Sequence, residues 1–155
     1  MQVKIKRLNE KAQLPKKGSE GAIAYDVVAS EIEHVTPYYV KVKTGLSIEP
    51  PQGYGVKLYA RSSLTKTAWV LANSVGLGDN DYRGEYELRF RALAFESNEA
   101  LFEWEDSEIL FEAFPYKVGD RVGQIEIVPI LEVEWVEDDL SETDRGEGGF
   151  GSTGV

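Results

Sequence analysis

The chain has 155 residues, with 27 acidic and 17 basic side chains and a formal net charge of −10. Its length predicts one domain over residues 1–155 with a core of its own. The absence of cysteine excludes disulfides and thiolate metal sites, and the lack of an apolar N-terminal run predicts a cytoplasmic protein with no membrane partner. The acidic charge argues against nucleic acid as a partner, although local arginines, backbone N–H groups and a divalent cation could still bind a small polyphosphate.

Most of the chain is predicted to form β-strands. Short runs in which apolar and polar residues alternate are bounded by Gly or Pro, and their apolar members are Val3 and Ile5, Val40 and Val42, Leu46 and Ile48, Val56 and Leu58, and Tyr86, Leu88, Phe90 and Ala92. Residues 122–130 predict a buried strand ended by Pro129. Many short strands at close spacing indicate an all-β sandwich, jelly roll or barrel.

Residues 62–71 break the strand pattern and predict one short helix. Three apolar residues recur at helical spacing: Leu64, Ala68 and Leu71. Ser62 or Ser63 is placed to cap the first turn. N–H groups at the start of a helix that follows Arg61 would favour an anion, although an ordinary capped helix explains the same residues.

Residues 75–85 read Val-Gly-Leu-Gly-Asp-Asn-Asp-Tyr-Arg-Gly-Glu and predict a tight hairpin that turns at Asn80 and Asp81. The glycines permit close approach of the backbone to a flat ligand, whose edge main-chain groups could then read. Asp79 would be a carboxylate next to that ligand, and Tyr82 a ring beside it.

Residues 95–116 contain seven carboxylates and neither Lys nor Arg, together with several large apolar residues. This composition predicts an inserted hairpin or small subdomain with a solvated acidic face. The spacing of the carboxylates fits no metal-ligand motif.

The last residues, 145–155, join an arginine, five glycines, two hydroxyls and one aromatic ring. Glycines let backbone N–H groups bend around phosphate oxygens, Arg145 supplies a planar fork, and Phe150 can lie flat on a ring. This mixture favours a clamp over a triphosphate that carries a base, although a disordered glycine-rich tail remains the alternative. The segment 137–155 is predicted to be a flexible C-terminal arm, and no Lys follows the glycines as a Walker loop requires.

Five segments, at 24–27, 61–63, 76–84, 119–124 and 145–154, resemble the five ordered motifs of the trimeric dUTP pyrophosphatases, the dUTPases. The resemblance implies a jelly-roll homotrimer with exchanged C-terminal arms. It also implies Mg²⁺ as the cofactor and hydrolysis of dUTP to dUMP and pyrophosphate, which limits uracil in DNA and supplies dUMP for dTMP synthesis. The insert resembles those of bacteriophage members, which suggests a host-cytoplasmic enzyme with a protein partner at the insert.

The resemblance assigns roles to three residues outside the phosphate contacts. Asp79 corresponds to the general base that activates a water for in-line attack on the α-phosphorus. Asp26 is expected to orient Arg61 and the water shell of the metal, so that no side chain binds Mg²⁺ directly. Tyr82 would pack on the deoxyribose and leave no space for a 2′-hydroxyl.

Other residues are expected to bind the substrate. Ser62 corresponds to the contact with the oxygen that bridges the α- and β-phosphates. Further phosphate contacts are expected at Arg61, Ser63, Gln124, Arg145, Ser152 and Thr153. Asn73 and the backbone from Gly76 would read the uracil edge, and Phe150, followed by Gly151, would cap the base.

The sequence departs from the family pattern at Ala24, Gly78 and Gly123. Of these, Gly78 could loosen the hairpin that positions Asp79. Two other functions compete with dUTP hydrolysis. One is a dCTP deaminase of related fold, and the other is a regulatory protein that acts through its insert.

Overall fold

The computed structural model describes residues 1–93 and 114–149. Within them the chain is almost entirely β-structure, with one 3-10 helix at Ser62–Lys66. The strands are β1 (Lys4–Arg7), β2 (Lys16–Lys17), β3 (Tyr25–Val28), β4 (Glu31–Thr36), β5 (Tyr39–Lys43), β6 (Leu46–Glu49), β7 (Tyr54–Ala60), β8 (Trp69–Leu71), β9 (Val75–Gly78), β10 (Glu87–Ala92) and β11 (Arg121–Pro129).

Two larger sheets and one strand pair form the framework. The five-stranded sheet has the order β2-β3-β11-β7-β9, the four-stranded sheet the order β4-β5-β10-β8, and β1 pairs with β6. Neighbouring strands in all three are antiparallel. Strand β11 is central because it pairs with both β3 and β7, which brings residues from distant parts of the sequence into one row.

The apolar faces of the two larger sheets share one core. The alternation predicted from the sequence is confirmed, because every second residue of β5 and β10 is buried: Val40, Val42, Leu88 and Phe90. Val56 of β7 and Val122 of β11 enter the same core from the other sheet. The predicted all-β jelly roll is therefore confirmed.

The described end of the acidic segment is also part of this core. Phe114 is 7% exposed, and its ring packs edge-on against Trp69 at 4.9 Å and tilted against Phe90 at 5.6 Å. The predicted insert at 95–116 otherwise lies almost wholly outside the described residues.

The helix predicted over residues 62–71 is wrong beyond its first turn. Arg61 is the N-cap residue and its side chain makes no capping hydrogen bond to the helix, so the predicted serine cap is also wrong. The Thr67 hydroxyl donates to the carbonyl of Leu64 and accepts from the N–H of Trp69, which ends the turn. The chain then forms β8, because Trp69 fits a strand beside β10 where its ring is buried.

The tight hairpin predicted over residues 75–85 is wrong in its pairing, although the turn at Asn80 and Asp81 is confirmed. In the described residues, β9 pairs with β7 and β10 pairs with β5 and β8, so this segment crosses between sheets. The Tyr86 N–H donates to the carbonyl of Leu46, and its carbonyl accepts from the hydroxyl of Thr44. These bonds draw the chain away from β9.

After β11 the chain leaves the sheets. Residues 130–149 contain no strand, and large apolar side chains there face solvent: Leu131 (78% exposed), Val133 (59%), Trp135 (91%), Val136 (73%) and Leu140 (94%). The C-terminal arm predicted over residues 137–155 is taken from here on to begin directly after β11, and residues 130–149 are its described part. Within residues 1–93 and 114–149, no helix has the length and apolar character needed to cross a membrane.

Candidate active site

One candidate group of residues is organised by the carboxylate of Asp26. Gln124 on β11 lies directly opposite Asp26 on β3, so their side chains share one face of the sheet. The Gln124 amide donates to Asp26 Oδ1 at 3.1 Å, and Arg61 Nε donates to the same oxygen at 3.2 Å. Three predicted residues, Asp26, Arg61 and Gln124, are thus brought together by strand register.

Arg121 joins this group, although the sequence interpretation gave it no role. Its Nη1 donates to Asp26 Oδ2 at 3.0 Å. Asp26 is only 6% exposed, whereas the Arg121 side chain is 56% exposed, so the guanidinium is anchored at one end and open to solvent at the other. Arg121 lies in the Gly-Asp-Arg motif of residues 119–121, and this position in the motif could have indicated its role from the sequence. We call Asp26, Arg61, Arg121 and Gln124 the Asp26 cluster.

Two serines extend the Asp26 cluster toward solvent. Ser62 and Ser63 begin the 3-10 helix directly after Arg61, and both are exposed. Ser63 Oγ lies 3.5 Å from Tyr116 Oη. Two exposed serines therefore follow Arg61 directly in the chain, and hydroxyls next to guanidinium groups suit a polyphosphate.

A second group of predicted residues lies along β9 and the turn that follows it. Strand β9 is the edge of its sheet, so one row of its backbone N–H and C=O groups has no strand partner among the described residues. Asn73 and Gly76 lie at the start of this strand, and Asp79 follows its last residue, Gly78, with an exposed carboxylate. The arrangement places a backbone edge beside a carboxylate.

Asn80 holds this turn in place, which the sequence interpretation did not anticipate. Its amide nitrogen lies 2.8 Å from the carbonyl oxygens of Pro51 and Tyr54 and 3.4 Å from that of Pro50. Pro50 and Pro51 belong to the β6–β7 connection and Tyr54 begins β7, so Asn80 ties the residue next to Asp79 to the framework. The sequence predicts Asn80 only as a turn-forming residue, and its hydrogen-bond partners are visible only in the fold.

Tyr82 stands at the outer side of the same turn. Its hydroxyl donates to the carbonyl of Glu85 at 3.0 Å, and its ring meets Tyr86 edge-on at 5.4 Å. A Cβ atom on Gly84 would come within 2.8 Å of the Tyr82 ring, so glycine is needed for this approach. The ring remains 43% exposed and can still contact a ligand.

The two groups are separated along β7. Gly78 is opposite Val56 near one end of this strand, and Arg61 follows Ala60 at the other end. Five residues of extended chain correspond to about 16 Å. Asp79 and Arg61 of one chain therefore lie toward opposite ends of β7.

The C-terminal arm carries one predicted site residue within the described range. Arg145 Nε donates to the carbonyl of Gly148 at 2.8 Å, so its described hydrogen bond remains inside the arm. The structure does not bring Arg145 to Asp79 or to the Asp26 cluster. Phe150, Gly151, Ser152 and Thr153 lie outside the described residues.

The donor set gives no direct metal site in the part of the chain that the structure describes. No three or more His, Asp or Glu side chains there are arranged to hold a metal ion. Asp26 accepts two hydrogen bonds on Oδ1 and one on Oδ2. One acceptor position on Oδ2 is left, which suits a metal-bound water better than the metal itself.

Comparisons with known proteins agree with this geometry. No protein-family model matches the chain. A deoxyuridine 5′-triphosphate nucleotidohydrolase of Hydrogenobaculum sp. is 37% identical over 159 residues, which cover 100% of this chain and 99% of that protein. A solved mutant of the Staphylococcus bacteriophage 80alpha dUTPase with dUpNHpp is 25% identical, with a TM-score of 0.75 and coverage of 99% of both chains.

A further solved structure supports the fold alone. The dUTPase of S. aureus phage phi11, described with a structural Mg(II) ion, is 21% identical with a TM-score of 0.69, covering 92% of this chain and 100% of that one. The full-length identity to the Hydrogenobaculum protein decides the assignment. The chain belongs to the deoxyuridine 5′-triphosphate nucleotidohydrolases, the dUTPases.

Proposed function

We propose that this protein hydrolyses dUTP to dUMP and pyrophosphate. One observation carries the proposal: in a chain of this family, an exposed carboxylate, Asp79, ends an edge strand whose backbone is free to read a base. The phosphate-binding side chains form a separate cluster around Asp26. These are the two parts that cleavage of a nucleoside triphosphate needs.

Asp79 acts as the general base. Its carboxylate takes a proton from water while the water oxygen attacks the α-phosphorus in line. The bond from this phosphorus to the bridging oxygen breaks, and pyrophosphate leaves with the electron pair. Catalysis then depends on positioning and on charge stabilisation rather than on a covalent intermediate.

The Asp26 cluster binds the phosphate chain. Arg61 and Arg121 are held by Asp26, and their remaining N–H donors are free for phosphate oxygens. Ser62 contacts the leaving-group oxygen, with Ser63 and Gln124 beside it. Mg²⁺ would neutralise phosphate charge; phosphate oxygens and waters would hold it, and Asp26 Oδ2 would orient one of those waters.

The edge of β9 selects uracil. Backbone donors and acceptors that match the uracil edge leave cytosine mismatched, and unpaired buried polar groups discriminate strongly between ligands. Asn73 and Gly76 take part in this recognition, and Tyr82 packs on the deoxyribose. Arg145, Ser152 and Thr153 hold the γ-phosphate, and Phe150 with Gly151 closes over the base.

The active form is a homotrimer with exchanged arms. The distance of about 16 Å along β7, from the position opposite Gly78 to Arg61, supports a site in which Asp79 and the Asp26 cluster come from different chains. The C-terminal arm exposes apolar residues that one chain leaves uncovered, such as Trp135 and Leu140. An apolar groove lined by Val3, Ile5, Leu14 and Ile23 offers a surface for it, and lysines of β1 and β2 complement its acidic residues.

Mixed trimers test whether the site is shared. Asp79→Asn and Arg61→Ala chains are expected to be nearly inactive alone, and co-assembly at equal amounts should restore activity at about one quarter of the sites. The measurement is pyrophosphate release by the complete statistical mixtures, without enrichment of mixed trimers. As a control, a chain with both substitutions mixed with the unaltered chain should also give about one quarter.

A site shared between chains and a site formed within one chain give different results in both mixtures. If Asp79 and Arg61 of one chain formed a site, the first mixture would stay inactive and the second would retain about one half of the activity. That outcome would overturn the shared site.

Product analysis separates dUTP hydrolysis from deamination. With dUTP we expect equal amounts of dUMP and pyrophosphate, and with dCTP no ammonia. Ammonia from dCTP would favour the dCTP deaminase instead. A role of the segment at 95–116 in binding a protein partner, a cytoplasmic location and the absence of nucleic-acid and membrane partners stay predictions.

A further inference from the structure

Tyr86 carries a buried hydroxyl without a partner. The residue is 6% exposed, and its hydroxyl is the one buried side-chain polar atom within residues 1–93 and 114–149 that makes no hydrogen bond. Buried polar groups in folded proteins nearly always have partners, so this hydroxyl needs a partner other than the ones that surround it in the described residues. Its backbone is fixed to Thr44 and Leu46, so the ring has a defined position.

The ring of Tyr86 occupies the space next to Gly78. A Cβ atom on residue 78 would lie 2.6 Å from Tyr86 Cε1 and 2.7 Å from Cζ, and it would also collide with the hydroxyl. Positions 78 and 86 are therefore complementary: the missing side chain at one makes room for the ring at the other. The end of the ring that carries the hydroxyl lies against the residue that directly precedes Asp79.

The surroundings of this hydroxyl belong to residues 79–83, which we call the catalytic turn because they include Asp79. Burial is the largest of the effects that raise the pKa of Tyr86 to about 12; the nearby Tyr82 and Asp79 also raise it, and Arg83 lowers it. These three are the titratable or charged groups that act on the hydroxyl. Tyr86 is consequently protonated at neutral pH and can donate a hydrogen bond.

We propose that Tyr86 is a positioning residue, which fills the space beside Gly78 and donates a hydrogen bond from its hydroxyl to the Asp79 carboxylate when the site closes on nucleotide. The inference rests on the proposed role of Asp79 as the general base. It also explains why glycine at position 78, which differs from the family pattern, is tolerated. The Tyr86 ring supports the turn that this glycine alone would loosen. The bond orients the carboxylate and favours its ionised form.

The substitution Tyr86→Phe tests the hydroxyl alone. We expect kcat for dUTP to fall about tenfold, as for loss of a hydrogen bond to a charged group, with the Kd for dUTP within about twofold of the unaltered protein. The acidic limb of the kcat–pH profile should move to higher pH, because the ionised form of the general base loses a hydrogen-bond donor. Unchanged kcat and an unchanged pH profile would overturn the proposal.

Tyr59→Phe is the matched control. Tyr59 lies on β7, and its hydroxyl donates to Glu126 at 2.9 Å, away from the catalytic turn. This variant should keep the kcat and the pH profile of the unaltered protein. An equal loss of kcat in both variants would count against a specific role for Tyr86.

A pair of variants tests the packing separately. Gly78→Ala should lower the melting temperature because its Cβ meets the Tyr86 ring, and adding Tyr86→Leu should restore stability without restoring kcat. An unchanged melting temperature in Gly78→Ala would contradict the placement of the ring. If the unaltered protein failed to cleave dUTP, the proposed function would be wrong. If the unaltered protein is active and Tyr86→Phe leaves kcat and the pH profile unchanged, only this inference is contradicted.

Discussion

Asp79→Asn is expected to lower kcat for dUTP by about three orders of magnitude while the Kd for dUTP changes little. The amide has nearly the same shape as the carboxylate but cannot accept the proton of the attacking water. Asp79 is exposed and makes no ion pair within the described residues, so its replacement should leave the fold intact. Single-turnover pyrophosphate release and calorimetric titration with dUTP measure the two quantities.

Asp81→Asn provides a control for the loss of charge in the same turn. Asp81 is exposed and has no hydrogen bond or ion pair within residues 1–93 and 114–149, and this variant should retain most of its turnover. Full activity of the Asp79→Asn protein would remove Asp79 from the mechanism. Another residue would then have to act as the general base.

Asp26→Asn is expected to damage both stability and phosphate binding. Asp26 accepts from Arg61, Arg121 and Gln124, and its buried carboxylate is the common acceptor of two ion pairs. An amide keeps only one acceptor oxygen, turns an N–H group toward the remaining donors, and removes the charge that attracts both guanidinium groups. We expect a melting temperature lower by about 5 °C and a KM for dUTP raised about tenfold or more.

Glu49→Gln is the matched surface control. Glu49 also faces two cations, at 2.8 Å from Lys4 and 3.8 Å from Arg83, but it is 39% exposed by its side chain. Exposed pairs of this kind contribute less than about 1 kcal/mol, so stability and KM should hardly change. A similar effect of both substitutions would show that Asp26 is an ordinary charged residue rather than the centre of a cluster.

The strands were predictable because their burial follows local alternation. Val40 and Val42 on β5, and Leu88 and Phe90 on β10, are buried at the alternate positions that their sequence pattern predicts. The turn at Asn80 was likewise visible in its residue types. These features depend on a few neighbouring residues, so the linear sequence contains them.

The pairing of those strands was harder to predict from the sequence. The spacing of Leu64, Ala68 and Leu71 fits a helix, yet Leu71 pairs with Phe90 in a sheet. Residues 75–85 look like a hairpin, yet the chain crosses between sheets because Thr44 and Leu46 bind Tyr86. Tertiary contacts with distant strands outweighed the local preference in both places.

Composition and motif order by themselves determined an acidic all-β domain of the dUTPase family and most residues of its candidate site. The tertiary structure decided how those residues are grouped: Asp26 with Arg61, Arg121 and Gln124 at one end of β7, and Asp79 at the other end. Motif spacing along a chain contains no information on which strands become neighbours. That is set by antiparallel register and by the shared core, in which β11 joins β3 to β7 and Tyr86 takes the place beside Gly78.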